Sequence, residues 1–199
     1  SILSKADCLL AAGRRQRNYF YGWLVQSGRF PGHEHFIRYI PVSLSPELPA
    51  RKTDVQHLHK KDVPIFVSGG GWFPWQNQVA AITAICNKIR SQNSGSIEIY
   101  GTPHKDAALQ STALGTAMME IDKAYAGIKQ LSGECDRIKA SDYIAREDLL
   151  GRYLRADVAL ELMRYNLERE LAFTTRTIEY LWCGLPVIYN NYAEISGHI

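Results

Sequence analysis

The stretch from Ala156 to Tyr189 constrains the fold most. Ala156-Asp-Val-Ala-Leu-Glu-Leu162 is a short apolar run that reads as a strand. An acidic loop with Glu168 and Glu170 follows, and then a helical segment that carries Glu179 and stops at Gly184-Leu185-Pro186. The next apolar strand, Val187-Ile-Tyr189, begins at once. Two strands joined by a helix in so short a span make a parallel crossover unit, which belongs in an α/β sheet. The helix starts on Thr174, Thr175 and Arg176. Open backbone N–H groups at such a start suit phosphate, and carboxylates nearby suit sugar hydroxyls, which donate hydrogen bonds.

The same alternation fills the chain from Asp62 onward. Strands are predicted over residues 64–68, 96–100, 137–140, 158–162 and 187–189, with helices over 76–92, 107–128, 146–155 and 174–183. The fold class is therefore α/β, a Rossmann-like parallel sheet flanked by helices. Upstream, Asp7-Cys-Leu-Leu10 reads as a strand and residues 14–26 as a helix ended by Gly28. Tyr19, Phe20, Tyr21 and Trp23 spread around that helix, which is a poor pattern for a membrane-surface helix. Phe36-Ile-Arg-Tyr-Ile-Pro-Val42 reads as a further strand, and Pro41, Pro46 and Pro49 stiffen the segment after it.

Composition narrows the function classes. A net charge of +3 over 199 residues implies no strong field for nucleic acid, so no nucleic-acid partner is expected. No apolar run is long enough to span a bilayer, and the first residues lack a basic leader with an apolar core. Cys8, Cys86, Cys135 and Cys183 are scattered, without a Cys-x-x-Cys pair, and read as small buried thiols in a reducing compartment. His33, His35, His57 and His59 fall in loop-like segments without metal-ligand spacing. No metal site is expected.

Four blocks in order carry a resemblance. They are Pro64-Ile-Phe-Val-Ser-Gly-Gly-Gly-Trp-Phe-Pro-Trp75, Ile97-Glu-Ile-Tyr-Gly-Thr-Pro103, Tyr143-Ile-Ala-Arg-Glu-Asp-Leu-Leu-Gly-Arg-Tyr-Leu-Arg-Ala-Asp157 and the run from Arg164 to Ile188. Together they resemble the donor-binding half of GT-B glycosyltransferases of the retaining family-four type (glycosyl transferases group 1). The resemblance implies transfer of a sugar from a nucleotide-sugar donor to an acceptor in glycan or polysaccharide biosynthesis. It implies no cofactor and no metal, the helix dipole and an arginine stabilising the leaving phosphate. It divides the chain at about residue 43, with 1–43 ending an acceptor-side domain and 44–199 forming a donor domain that continues past Ile199. The glycan or lipid-linked acceptor would bind through the missing domain, so the isolated chain is expected not to turn over. A cytoplasmic location follows from the resemblance, with peripheral association at the inner membrane face left open.

The resemblance also assigns roles. Gly69, Gly70 and Gly71 would let backbone approach the donor closely, or simply make a tight turn. Trp72 and Trp75 would line the cleft or cover the sheet end. Related sequences place an Arg after the glycines and a Lys beyond it as a diphosphate clamp. Here Trp72, Gln76 and Asn77 stand in that region. Arg176, with Thr174 and Thr175, is the substitute candidate, its alternative being a surface arginine. Glu179 would accept the ribose hydroxyls. Glu168, before Phe173, would contact the transferred sugar as the catalytic acid, with Glu170 as the other candidate. Tyr143 and Ile144 would border the base. A second reading is a non-catalytic nucleotide- or partner-binding module of the same fold, favoured by the altered clamp.

Overall fold

Five parallel strands stack in the order β5-β4-β3-β6-β7 in the computed structural model, which describes residues 2–29, 36–49, 63–103 and 114–199. The strands are β3 (Ile65–Gly69), β4 (Ser96–Tyr100), β5 (Ile138–Ser141), β6 (Val158–Glu161) and β7 (Val187–Tyr189). A separate parallel pair, β1 (Leu9–Ala11) and β2 (Ile37–Tyr39), lies upstream with helix α1 (Arg14–Gln26). The four histidines named above lie outside the described residues, as do the first residues of the predicted 107–128 helix.

Helices cover both faces, and the spacing of apolar residues explains each. On one face α2 (Val79–Gln92) buries Ile82, Cys86 and Ile89, and α3 (Gly115–Glu134) buries Met118, Ile121, Tyr125 and Ile128. Steps of three and four residues put each set on one stripe. Most of these side chains meet Ile97, Ile99 and Ile138 from the sheet. On the other face α4 (Arg146–Tyr153) and α6 (Thr175–Trp182) pack Tyr153 and Tyr180 edge to face, 4.7 Å apart, against Val67 and Ala159. α6 ends as its sequence requires. Gly184 takes φ 66, its N–H reaches the Leu181 carbonyl, and the Leu185 N–H reaches Tyr180. That is a Schellman cap, which a residue without Cβ makes at least cost.

The order of the strands decides where a ligand can sit. The chain winds outward from β3 through β4 to β5, then returns to place β6 and β7 on the other side of β3. The β3–β4 ladder runs on to Gly69↔Tyr100, but the β3–β6 ladder stops at Val67↔Ala159. Beyond it the two strands no longer pair, and the Gly69 N–H donates instead to the Tyr180 hydroxyl at 2.9 Å. A crevice at the carboxyl ends of strands flanking such a reversal is where open α/β sheets hold ligands.

Two expectations change here. The acidic loop is a helical turn, α5 (Leu167–Leu171), because the Asn166 side chain caps it by accepting from the Arg169 N–H. Cys8 is exposed, whereas Cys86 and Cys183 are buried as expected. The N-terminal unit keeps its own small core of Ala11, Leu24 and Ile37, and is tied to the far end of the chain. Gly13 gives α1 no side-chain cap, and the Glu194 carboxylate takes its place, accepting from the Arg14 and Arg15 N–H groups at 2.9 Å each. Glu194→Ala removes a two-pronged helix cap and is expected to cost about 0.5–2 kcal/mol. Amide exchange in α1 should speed up while exchange in β3 and β4 stays unchanged. An α1 exchange rate equal to that of the parent chain would contradict the capping role.

Candidate functional site

The crevice between the ends of β3 and β6 is built around one buried ion pair. Glu161, the last residue of β6, is 2% exposed. Its Oε2 accepts from Arg176 Nη1 at 3.2 Å. Burial pushes the Glu161 carboxyl above the usual carboxylate range, with Arg176 and then Arg169 pulling it back. Its second oxygen, Oε1, is buried and has no hydrogen-bond partner among the described residues. A buried acceptor left bare costs about 1–3 kcal/mol, so the pocket carries an unmet polar demand.

Arg176 reaches across the crevice. Its Nη2 donates to Gln76 Oε1 at 3.4 Å, in the 3-10 turn Pro74–Gln76 that follows the glycines. Its guanidinium lies on Gly70, where a Cβ would come within 2.4–2.6 Å of three guanidinium atoms. Gly70 also has φ 97, so glycine is needed there on two counts. Gly101, at φ 122, packs against the Gly70 carbonyl from the next strand end. Arg176 is thus neither a surface arginine nor a cation facing open solvent.

A cavity of about 120 Å³ opens beside this pair. The segment from Phe173 to Arg176 forms one wall, and Gln76, Glu161 and Arg169 complete it. Arg169, from α5, is 6% exposed. Its Nε and Nη2 are held by the two oxygens of Glu168, and among the described residues its Nη1 meets only the Met163 sulfur, at 3.8 Å. Asn166 anchors the turn below, its amide donating to the Trp75 carbonyl at 2.9 Å. Thr174 does not cap α6 with its side chain. Its hydroxyl bonds instead with Thr177 and with the Tyr189 hydroxyl, at 2.8 and 3.3 Å.

The other candidates distribute around this centre. Gly71 lies under the Tyr143 hydroxyl, which is 2.6 Å from where a Cβ would sit, and Ile144 packs into the core behind. Glu179 points toward the same flank, where one of its oxygens accepts from Arg146 Nε and Nη2 at 3.0 and 2.8 Å. Gly69 is buried at the strand end, under the Tyr153 hydroxyl. Trp75 stacks on Phe73 at 4.9 Å.

Three side chains differ from expectation. Trp72 does not line the cleft: it is 1% exposed, bridges to Pro103 and packs edge-on against Tyr125 at 5.1 Å. Glu168 does not line the cavity, because both of its oxygens are engaged by Arg169. Glu170 turns away toward Tyr165 and toward Arg15 of α1, at 2.7 and 3.6 Å. Sequence reasoning missed Glu161 and Arg169. The signals were a carboxylate closing an otherwise apolar strand and a lone base between two acids.

Gly70→Ala puts a methyl group into the Arg176 guanidinium and strains a left-handed backbone position. The expected outcome is a loss of about 1–3 kcal/mol in stability, read from the urea midpoint, together with weaker binding of a nucleoside diphosphate. Parent-like values in both measurements would contradict the packing described.

No protein-family model matches the sequence, and no curated protein matches it. Solved structures do. OtsA in its ligand-free form is 12% identical with a TM-score of 0.66, over 98% of this chain and 49% of that one. Anabaena HepE, in complex with UDP-glucose, is 14% identical with a TM-score of 0.57, over 98% of this chain and 47% of that one. Pneumococcal O-GlcNAc transferase GtfA, in complex with UDP and GlcNAc, is 16% identical with a TM-score of 0.57, over 94% of this chain and 32% of that one. The chain spans about half the length of OtsA and HepE and a third of GtfA. Its fold is that of one Rossmann-like half of a GT-B glycosyltransferase.

Proposed function

We propose that this chain is the donor-binding half of a retaining glycosyltransferase of the family-four type, taking a nucleotide sugar and passing its sugar to a glycan or lipid-linked acceptor in glycan or polysaccharide biosynthesis. The observation that carries this reading is the cavity at the strand reversal, where the start of α6, Arg176 and a buried carboxylate converge. Similar structures solved with UDP or UDP-glucose support it.

The parts divide the labour by chemistry. The leaving diphosphate carries the charge that must be stabilised, and fixed donors in a water-poor crevice stabilise it best. The N-terminus of α6, which the Thr174 side chain leaves uncapped, offers backbone N–H groups and the positive end of a helix dipole. Arg176 adds a guanidinium already oriented by Glu161 and Gln76. Gly70 lets the Arg176 guanidinium lie directly on the backbone of the turn, which holds the cation at the crevice. In this reading Glu179, which lies beside Arg146, accepts the ribose hydroxyls. The acceptor and its activation belong to the other half.

Titration with UDP, GDP and ADP, and with their glucose conjugates, tests the reading. At least one pair is expected to bind, and Arg176→Gln should weaken it by about 1.5–3 kcal/mol, the range for a hydrogen bond to a charged group. Glu179→Gln should weaken the free nucleotide and its sugar conjugate alike, since both contain ribose. Binding of none of these ligands to the parent chain would contradict the proposal.

A further inference from the structure

The two groups that sequence reasoning missed have complementary unmet needs in one cavity. Arg169 is a buried cation whose Nη1, among the described residues, meets only a thioether sulfur, a weak acceptor. Glu161 is a buried carboxylate whose Oε1 has no hydrogen-bond partner among the described residues. Both line the cavity beside Arg176 and the start of α6. A simple anion satisfies the arginine but not the carboxylate. A neutral polyol satisfies the carboxylate but leaves the arginine edge bare. The group that meets both is a phosphate with a hydroxyl-bearing ring attached.

Resting on the donor-half reading above, we infer that Arg169 and Glu161 form a subsite for the phosphate–sugar junction of the donor, Arg169 binding the phosphate next to the sugar and Glu161 accepting a hydroxyl of the sugar ring. Arg169 supplies, from α5, the second cation that the glycine turn lacks. Its placement is fixed in advance. Asn166 caps its turn, and Glu168 grips the Nε and Nη2 edge so that Nη1 is the edge left over. Glu168 is then a positioning residue for Arg169, and Glu161 takes over the sugar contact expected of it. The carboxylate also makes the site selective. Its negative charge opposes a bare diphosphate, and only a ligand bringing a hydroxyl donor turns that charge to advantage.

The test is calorimetric titration of the whole chain with a nucleoside diphosphate and its glucose conjugate, using whichever of UDP, GDP or ADP binds the parent chain best. The parent chain should bind the conjugate more tightly than the free diphosphate. Arg169→Gln should weaken both ligands by tenfold or more. Arg169→Lys, which keeps the charge without the fork, should recover part of that loss. Glu161→Gln should weaken the conjugate at least fivefold more than the free diphosphate, because it loosens Arg176 for both ligands but removes the hydroxyl acceptor for the conjugate alone. The inference is overturned by an Arg169→Gln affinity within twofold of the parent, by equal losses for both ligands in Glu161→Gln, or by a parent chain that prefers the free diphosphate. Failure of the parent chain to bind any of the six ligands overturns the donor-half reading itself, and this subsite with it. Binding by the parent chain, with the Arg169 and Glu161 variants departing from the predicted pattern, overturns this subsite and leaves that reading standing.

Discussion

The Glu161–Arg176 pair is the interaction on which the crevice depends. It joins the end of β6 to the start of α6 and, through Gln76 and Gly70, to the turn after β3. Breaking such a buried pair by deleting one partner costs about 3–5 kcal/mol, because the other charge is stranded. The pair sits where the sheet has stopped holding itself together: the β3–β6 ladder ends at Val67↔Ala159. Side chains then take over from backbone. The Tyr180 hydroxyl satisfies Gly69, and Arg176 spans the gap. A sheet that opened at this point without those groups would leave backbone donors bare in the interior, which folded proteins rarely tolerate.

Much of the fold was legible because it rests on local pattern. The strands at 96–100 and 187–189 and the helix at 14–26 coincide with the observed elements. Alternation within β4 and three- and four-residue steps within α2 and α3 are enough to give type and face. Gly184 marked the end of α6 because only its backbone freedom makes that cap cheap. The loop before α6 was misjudged because a single capping side chain, Asn166, turns five residues into a helical turn. Propensity sums do not register one hydrogen bond.

The site was less legible, because its contacts join residues far apart in sequence. Trp72 follows a glycine turn at a strand end, a position from which a ring can face the crevice or the core. Tyr125, on a helix far downstream, and the bridge to Pro103 decide for the core. Glu168 and Glu170 look alike in sequence, yet one is held by its neighbour Arg169 and the other by Arg15 of the N-terminal unit. That second contact ties α1 to α5, while Glu194 ties it to the end of the chain. Glu161 could be found only once β6 and α6 were placed side by side.

Two larger hollows compete with the crevice for any ligand, one between α2 and α3 and one where α2 meets the loop after β6. The first is lined mostly by apolar and small side chains such as Val79, Ala84 and Leu131, which offer no counterpart to a diphosphate. Amide hydrogen exchange with and without a saturating nucleoside diphosphate sugar therefore tests the central claim most directly. The account predicts slowed exchange at Gly69–Gly71 and at Thr175–Thr177, with the amides of Ala80–Asn87 unchanged. Protection centred on α2 and α3, with the glycine turn and the start of α6 unaffected, would contradict it.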